Sequence, residues 1–111
     1  MWTQDLPEKM ILMDLPRETE LGDELERTHN LVGKHGDCDV ILDFENVDIL
    51  NSSHLASLLR LRQRLREDGR RLVLCNVGDA VQGILAVTAL TQVLEVVGDR
   101  ADALAFFQAR S

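Results

Sequence analysis

Three consecutive residues, Asn51, Ser52 and Ser53, carry short hydrogen-bonding side chains directly ahead of a leucine-rich run. Oxygens of Ser and Asn accept from the free N–H groups of a helix's first turn, so the plain reading is an N-terminal cap. A second chemistry is available at the same place. A serine hydroxyl at a helix start can take a phosphoryl group, because unpaired N–H groups and the positive end of the dipole favour an anion there. Such a phosphate would add about two negative charges, enough to eject a docked partner.

Other reactive side chains give weaker patterns. His35-Gly36-Asp37-Cys38-Asp39 contains metal-capable groups, but its spacing matches no common closed zinc site and no second ligand pair follows. It reads as a polar turn before a strand, and no metal site is assigned. No GxxxxGK[ST], GxGxxG or GxSxG is present. Ser57 and the three histidines form no readable triad, so no catalytic residue and no cofactor are assigned. Arg60, Arg62, Arg64, Arg66, Arg70 and Arg71 form a basic cluster. The plain reading is a solvated helix face balanced by Glu67, Asp68 and the acidic first helix. The alternative is a docking surface for an acidic partner. RNA binding ranks last for want of stacking aromatics.

The elements that must hold these residues follow from the apolar periodicity. Met10 to Met13 is a continuous apolar run between Pro7 and Pro16 and reads as a strand. Trp2 to Leu6 reads as a preceding strand, with Pro7-Glu8-Lys9 as the turn. From Glu18 to Val32, Leu21, Leu25, Thr28 and Val32 share a helical face. Glu24, Glu26 and Arg27 point elsewhere, and Gly33 and Gly36 mark the end. Val40 to Phe44 and Leu72 to Cys75 are apolar on successive residues, as in strands covered on both faces.

Between them Ser52 to Glu67 reads as a helix with Leu55, Leu58, Leu59, Leu61 and Leu65 on a broad apolar face, stopped by Gly69. Asp79 reads as the N-cap of a helix bearing Val81, Ile84 and Leu85. A last strand falls within Val93 to Val97, and a closing helix spans Asp99 to Ala109 with Leu104 and Phe107 inward. Alternating strands and helices imply one α/β domain over residues 1–111. Its sheet is small, mixed but mostly parallel, of four to five strands flanked by about four helices. Right-handed crossovers place the loops after the strands on one rim, where α/β sheets usually bind ligands. Asn51-Ser52-Ser53 lies on that rim.

Composition narrows the class of function. A net charge of −7 disfavours nucleic acid and anionic membranes. Two distant cysteines, Cys38 and Cys75, make no disulfide framework, and no run approaches membrane-spanning length. The expectation is a cytoplasmic protein that binds other proteins. A homodimer stays open.

The stretch Val40-Ile41-Leu42-Asp43-Phe44, followed by Val47-Asp48-Ile49-Leu50-Asn51-Ser52-Ser53-His54-Leu55, resembles the signature of STAS domains, the anti-sigma factor antagonists and their relatives. The usual pattern is a strand ending in Leu-Asp, a short linker, then Asp-Ser-Ser-Gly-Leu opening a helix. The resemblance implies a non-catalytic binding module. In that family an anti-sigma factor that is also a serine kinase phosphorylates the first serine, and a metal-dependent phosphatase reverses the step. By resemblance Ser52 takes the phosphoacceptor place, and Asn51, Ser52, Ser53, His54 and Leu55 form the partner-binding segment.

Two positions depart from the pattern. Asn51 replaces the usual Asp, keeping a capping oxygen without the charge. His54 replaces the usual Gly, with an imidazole where a partner would approach; on spacing it reads as an exposed first-turn residue. Both departures suit a relative that docks constitutively, such as the small STAS subunits bound to the ABC-transporter ATPase of phospholipid-transport complexes. A small nucleotide-binding protein is a third reading, resting on the rim alone.

Overall fold

The computed structural model describes residues 2–6, 10–35 and 38–108. In chain order these form β1 (Trp2–Leu6), β2 (Met10–Asp14), α1 (Glu18–His35), β3 (Asp39–Asp43), α2 (Ser52–Glu67) and β4 (Leu72–Cys75). There follow α3 (Asp79–Val87), a single 3₁₀ turn (Leu90–Gln92), β5 (Glu95–Val96) and α4 (Arg100–Gln108). The strands lie in the order β1-β2-β3-β4-β5. β1 runs antiparallel to β2, and the other three pairings are parallel. The Pro7-Glu8-Lys9 turn, Gly36, Asp37 and Ala109 lie outside the described residues.

The pleat sends alternate residues of the central strands to opposite faces. Ile11, Met13, Val40, Leu42, Leu72 and Leu74 face one core with Leu21 and Leu25 of α1, Leu58, Leu61 and Leu65 of α2, and Val81 and Leu85 of α3. Met10, Leu12, Ile41, Val73 and Cys75 face the other side, where Ala103 and Phe107 of α4 cover them. Burial on both faces is why these strands are apolar at every position. It also encloses the Cys75 thiol, whose pKa rises from the usual 9.0 to about 12, first through burial and then through the charges of Asp43 and Asp99.

Several expectations are corrected. Gly33 does not end α1, which continues to His35; a helix tolerates one interior glycine at modest cost. Glu24 is buried rather than solvated, and Arg27 one turn on pairs with it. Asp79 is the first residue of α3, and its N-cap is Gly78, with no side-chain cap bond. Val93 and Leu94 belong to the bend after the 3₁₀ turn, which leaves only Glu95 and Val96 paired to β4. In α4 the inward positions are Ala103 and Phe107, with Leu104 only partly covered. In α2 Leu59 is 37% exposed, so the apolar face is narrower than its leucine count.

Candidate functional site at the start of α2

β3 delivers the chain to the rim and a short anchored loop turns it into α2. Asp43, 1% exposed, accepts the Glu45 N–H at 2.9 Å and so folds the chain back at the strand end. Val47 donates its N–H to the Phe44 carbonyl at 3.0 Å. Phe44, Val47 and Leu50 sink into the core, while Asp48 and Ile49 stay outside. Three buried anchors in a loop this short leave Asn51 little freedom of position. Ile49, 47% exposed just before the helix, is a feature that sequence periodicity could not single out.

Asn51 has extended backbone (φ −99°, ψ 178°) and is the N-cap. Its side chain accepts the His54 N–H at 2.8 Å, and the Asn51 N–H donates to His54 Nδ1 at 3.1 Å. This is a capping box with histidine in the place usually taken by Glu or Gln. The lone pair of Nδ1 is engaged by the Asn51 N–H, so this nitrogen is not free to draw a proton from Ser52. His54 is therefore not an exposed first-turn residue: it is 5% exposed and lies against α1, where a Cβ added at Gly22 would meet its Cδ2 and Nε2 at 3.9 Å. The imidazole fills space inside the domain and leaves the outer face of the helix start open.

Asn51 and His54 together take the capping work. The Leu55 N–H closes the first helical bond on the Asn51 carbonyl at 3.1 Å. Ser52 and Ser53, both exposed, have no side-chain hydrogen-bond partner among the described residues, and their backbone N–H groups find no protein acceptor there. No acidic residue occupies the first turn. The helix start thus presents two free hydroxyls and two free amides at the positive end of a sixteen-residue dipole. Leu55 is half-buried against the core.

The same rim is braced by charge. Arg100, at the start of α4, donates through Nε to Asp43 Oδ2 at 2.5 Å and pairs with Asp14 at the end of β2. Asn76, after β4, donates to both Asp43 oxygens at 3.2 Å. Its left-handed backbone (φ 54°) turns the chain so that its N–H reaches the Gly98 carbonyl at 2.9 Å. Asp43 therefore ties three strand ends and α4 together beneath the loop. Sequence reading placed Asp43 in the motif but not Arg100, which lies 57 residues away. In the metal-capable stretch, Cys38 is buried and Asp39 accepts the Arg71 N–H and pairs with Arg70. Among the described residues no group of three metal-capable side chains converges.

A family model described as the STAS domain matches residues 20–103. No curated protein matches the chain by sequence. Among solved structures, an anti-sigma-factor antagonist (STAS) domain protein from Planctomyces limnophilus superposes with a TM-score of 0.76 at 24% identity, over 86% of this chain and 88% of that one. The phosphorylated form of the Bacillus cell fate determinant SpoIIAA gives 0.71 at 13% identity, over 94% and 96%. A sulfate transporter family protein from Wolinella succinogenes gives 0.74 at 18% identity, over 91% and 84%. At these identities the structural likeness concerns the fold, and the family match rests on sequence. With Ser52 opening the helix that follows β3, as the motif requires, the chain belongs to the STAS domain family.

Proposed function

We propose that this chain is a non-catalytic, cytoplasmic binding module of the anti-sigma factor antagonist kind. The start of α2, from Asn51 to Leu55, docks on an anti-sigma factor that is also a serine kinase. Phosphorylation of Ser52 releases that partner, and a metal-dependent phosphatase restores binding. The observation that carries the reading is the division of labour at the cap: Asn51 and His54 close the capping box and leave the Ser52 hydroxyl exposed. A phosphate there would meet the free Ser52 and Ser53 amides and no first-turn carboxylate. Exposed Ile49 offers a partner apolar contact beside it. The solved SpoIIAA relative is described in phosphorylated and unphosphorylated forms, which suits a phosphate-controlled domain of this fold.

Asn51 favours a second reading. A neutral cap removes the charge that could orient a kinase, as suits a constitutive STAS subunit on an ABC-transporter ATPase. Calorimetric binding of the anti-sigma kinase to the wild-type chain, Ser52→Ala and Ser52→Asp separates the two. The switch predicts near-equal affinity for the first two and at least about a hundredfold loss for Ser52→Asp, from like-charge and desolvation penalties of a few kcal/mol. Equal binding of all three, or stable association with a transporter ATPase alone, contradicts it.

A further inference from the structure

At the far end of α2, about 20 Å from Ser52 at 1.5 Å per residue, the chain builds a second concave surface. Asp68 caps the helix and Gly69, at φ +71°, turns the chain in a left-handed conformation that glycine adopts without strain. The Gly69 N–H reaches the Arg66 carbonyl at 3.0 Å and the Arg70 N–H reaches the Leu65 carbonyl at 2.8 Å, a Schellman ending. That turn sets Arg70 and Arg71 against the last turns of the helix. The result is a cleft of about 230 Å³ lined by Arg62, Arg66, Arg70, Arg71 and Glu95, with Leu72 and Val93 as its apolar walls.

The four guanidinium groups are not equivalent. Arg70, 23% exposed, is held by Asp39 at 3.2 Å. Arg71 is steadied between Glu95 at 3.6 Å and the Phe106 ring, whose centroid lies 5.5 Å away. Arg62 and Arg66, one turn apart on α2, have no carboxylate within ion-pair distance among the described residues. Two tethered and two untethered guanidiniums thus face a single carboxylate in the cleft, in a chain whose net charge is −7. Like charges gathered this closely repel, and a bound anion relieves that repulsion while using the forked donors that match phosphate oxygens.

We propose that this cleft is a binding site for the phosphate group of a small phosphorylated molecule. Its size and concavity suit one compact polyanionic group with a modest apolar extension against Leu72 and Val93. An extended acidic peptide would need a longer groove. A membrane would need a broad basic face, which the acidic remainder of the chain denies. The site lies on the opposite rim from Ser52, so ligand binding here and partner binding there are separable.

The test is an amide NMR titration of the whole chain with inorganic pyrophosphate, with ionic strength held constant by potassium chloride. The expected result is saturable shifts of the amides from Arg66 to Leu72 and from Val93 to Glu95, with Kd below about 1 mM. Arg66→Gln, at an exposed helix position, and the double variant Arg62→Gln/Arg66→Gln should weaken binding by about tenfold or more. Gln82→Ala, at an exposed position of α3 outside the cleft, should titrate like the wild type. Shifts that never saturate, shifts that chloride reproduces, or unchanged affinity in both arginine variants would overturn the site. So would displacement of pyrophosphate by a short Glu-rich peptide of higher affinity, which assigns the cleft to a protein segment.

Discussion

The two ends of α2 are built on opposite plans. The N-terminal end carries no charged side chain in its first turn, and its capping is internal: Asn51 and the buried His54 satisfy one another and leave two serines outside. The C-terminal end is crowded with arginines, two of them tethered by Asp39, Glu95 and Phe106. Each plan follows the helix dipole, which favours added negative charge at the start and cations at the end. At the N-terminus the charge is absent from the sequence, and under the proposed switch a phosphate on Ser52 supplies it. At the C-terminus it is permanent. Under the two proposals above, a helix built this way changes binding at one rim without disturbing the other.

The comparison breaks most severely if the frame under the helix start is removed. Arg100→Ala leaves the Asp43 carboxylate, 1% exposed, without its cationic partner. The expected loss is about 3 kcal/mol of stability in urea denaturation. A loss below about 0.5 kcal/mol would show that Asn76 and the Glu45 amide suffice. Next comes the cap. His54→Ala removes half of the capping box and the imidazole packed against α1, for about 1–2 kcal/mol. Asn51→Ala should cost about 1 kcal/mol, and the double variant less than the sum, because the two residues form one box. Additive losses would mean that His54 acts by packing alone.

Sequence patterning reached the helix bounds at Ser52 and Glu67, the two central strands and the motif register, because these depend on local periodicity and capping chemistry. It placed His54 on the surface. Helical spacing cannot tell a first-turn residue facing solvent from one facing a neighbouring helix, and only α1 folding over it decides. Glu24 was misplaced for the same reason. Arg100 and Asn76 were invisible as partners of Asp43, since contacts across tens of residues leave no periodic signal. The Asn51-Ser52-Ser53 segment was legible as a capping site, but that Asn51 and His54 do the capping and the two serines do not needed the hydrogen bonds.

Two further measurements sharpen the contrast. The Cys75 thiol, its pKa raised from 9.0 to about 12, stays protonated in the folded chain where the unfolded chain would ionise. Its contribution to stability is therefore complete below about pH 9 and is lost as pH climbs towards about 12. Urea midpoints of wild type and Cys75→Ala should converge across that interval, and a constant gap would contradict the burial argument. Ser52→Ala should be the mildest change of all. Because Asn51 holds the cap, the expected shift is within about 0.5 kcal/mol. A loss of 1 kcal/mol or more would reinstate Ser52 as a capping residue.

Intact-mass analysis after incubation with the anti-sigma kinase and ATP addresses the central claim most directly. The account predicts a gain of a single phosphate, located at Ser52 by fragmentation and abolished in Ser52→Ala but not in Ser53→Ala. No mass gain, or a phosphate that persists in Ser52→Ala, would contradict it.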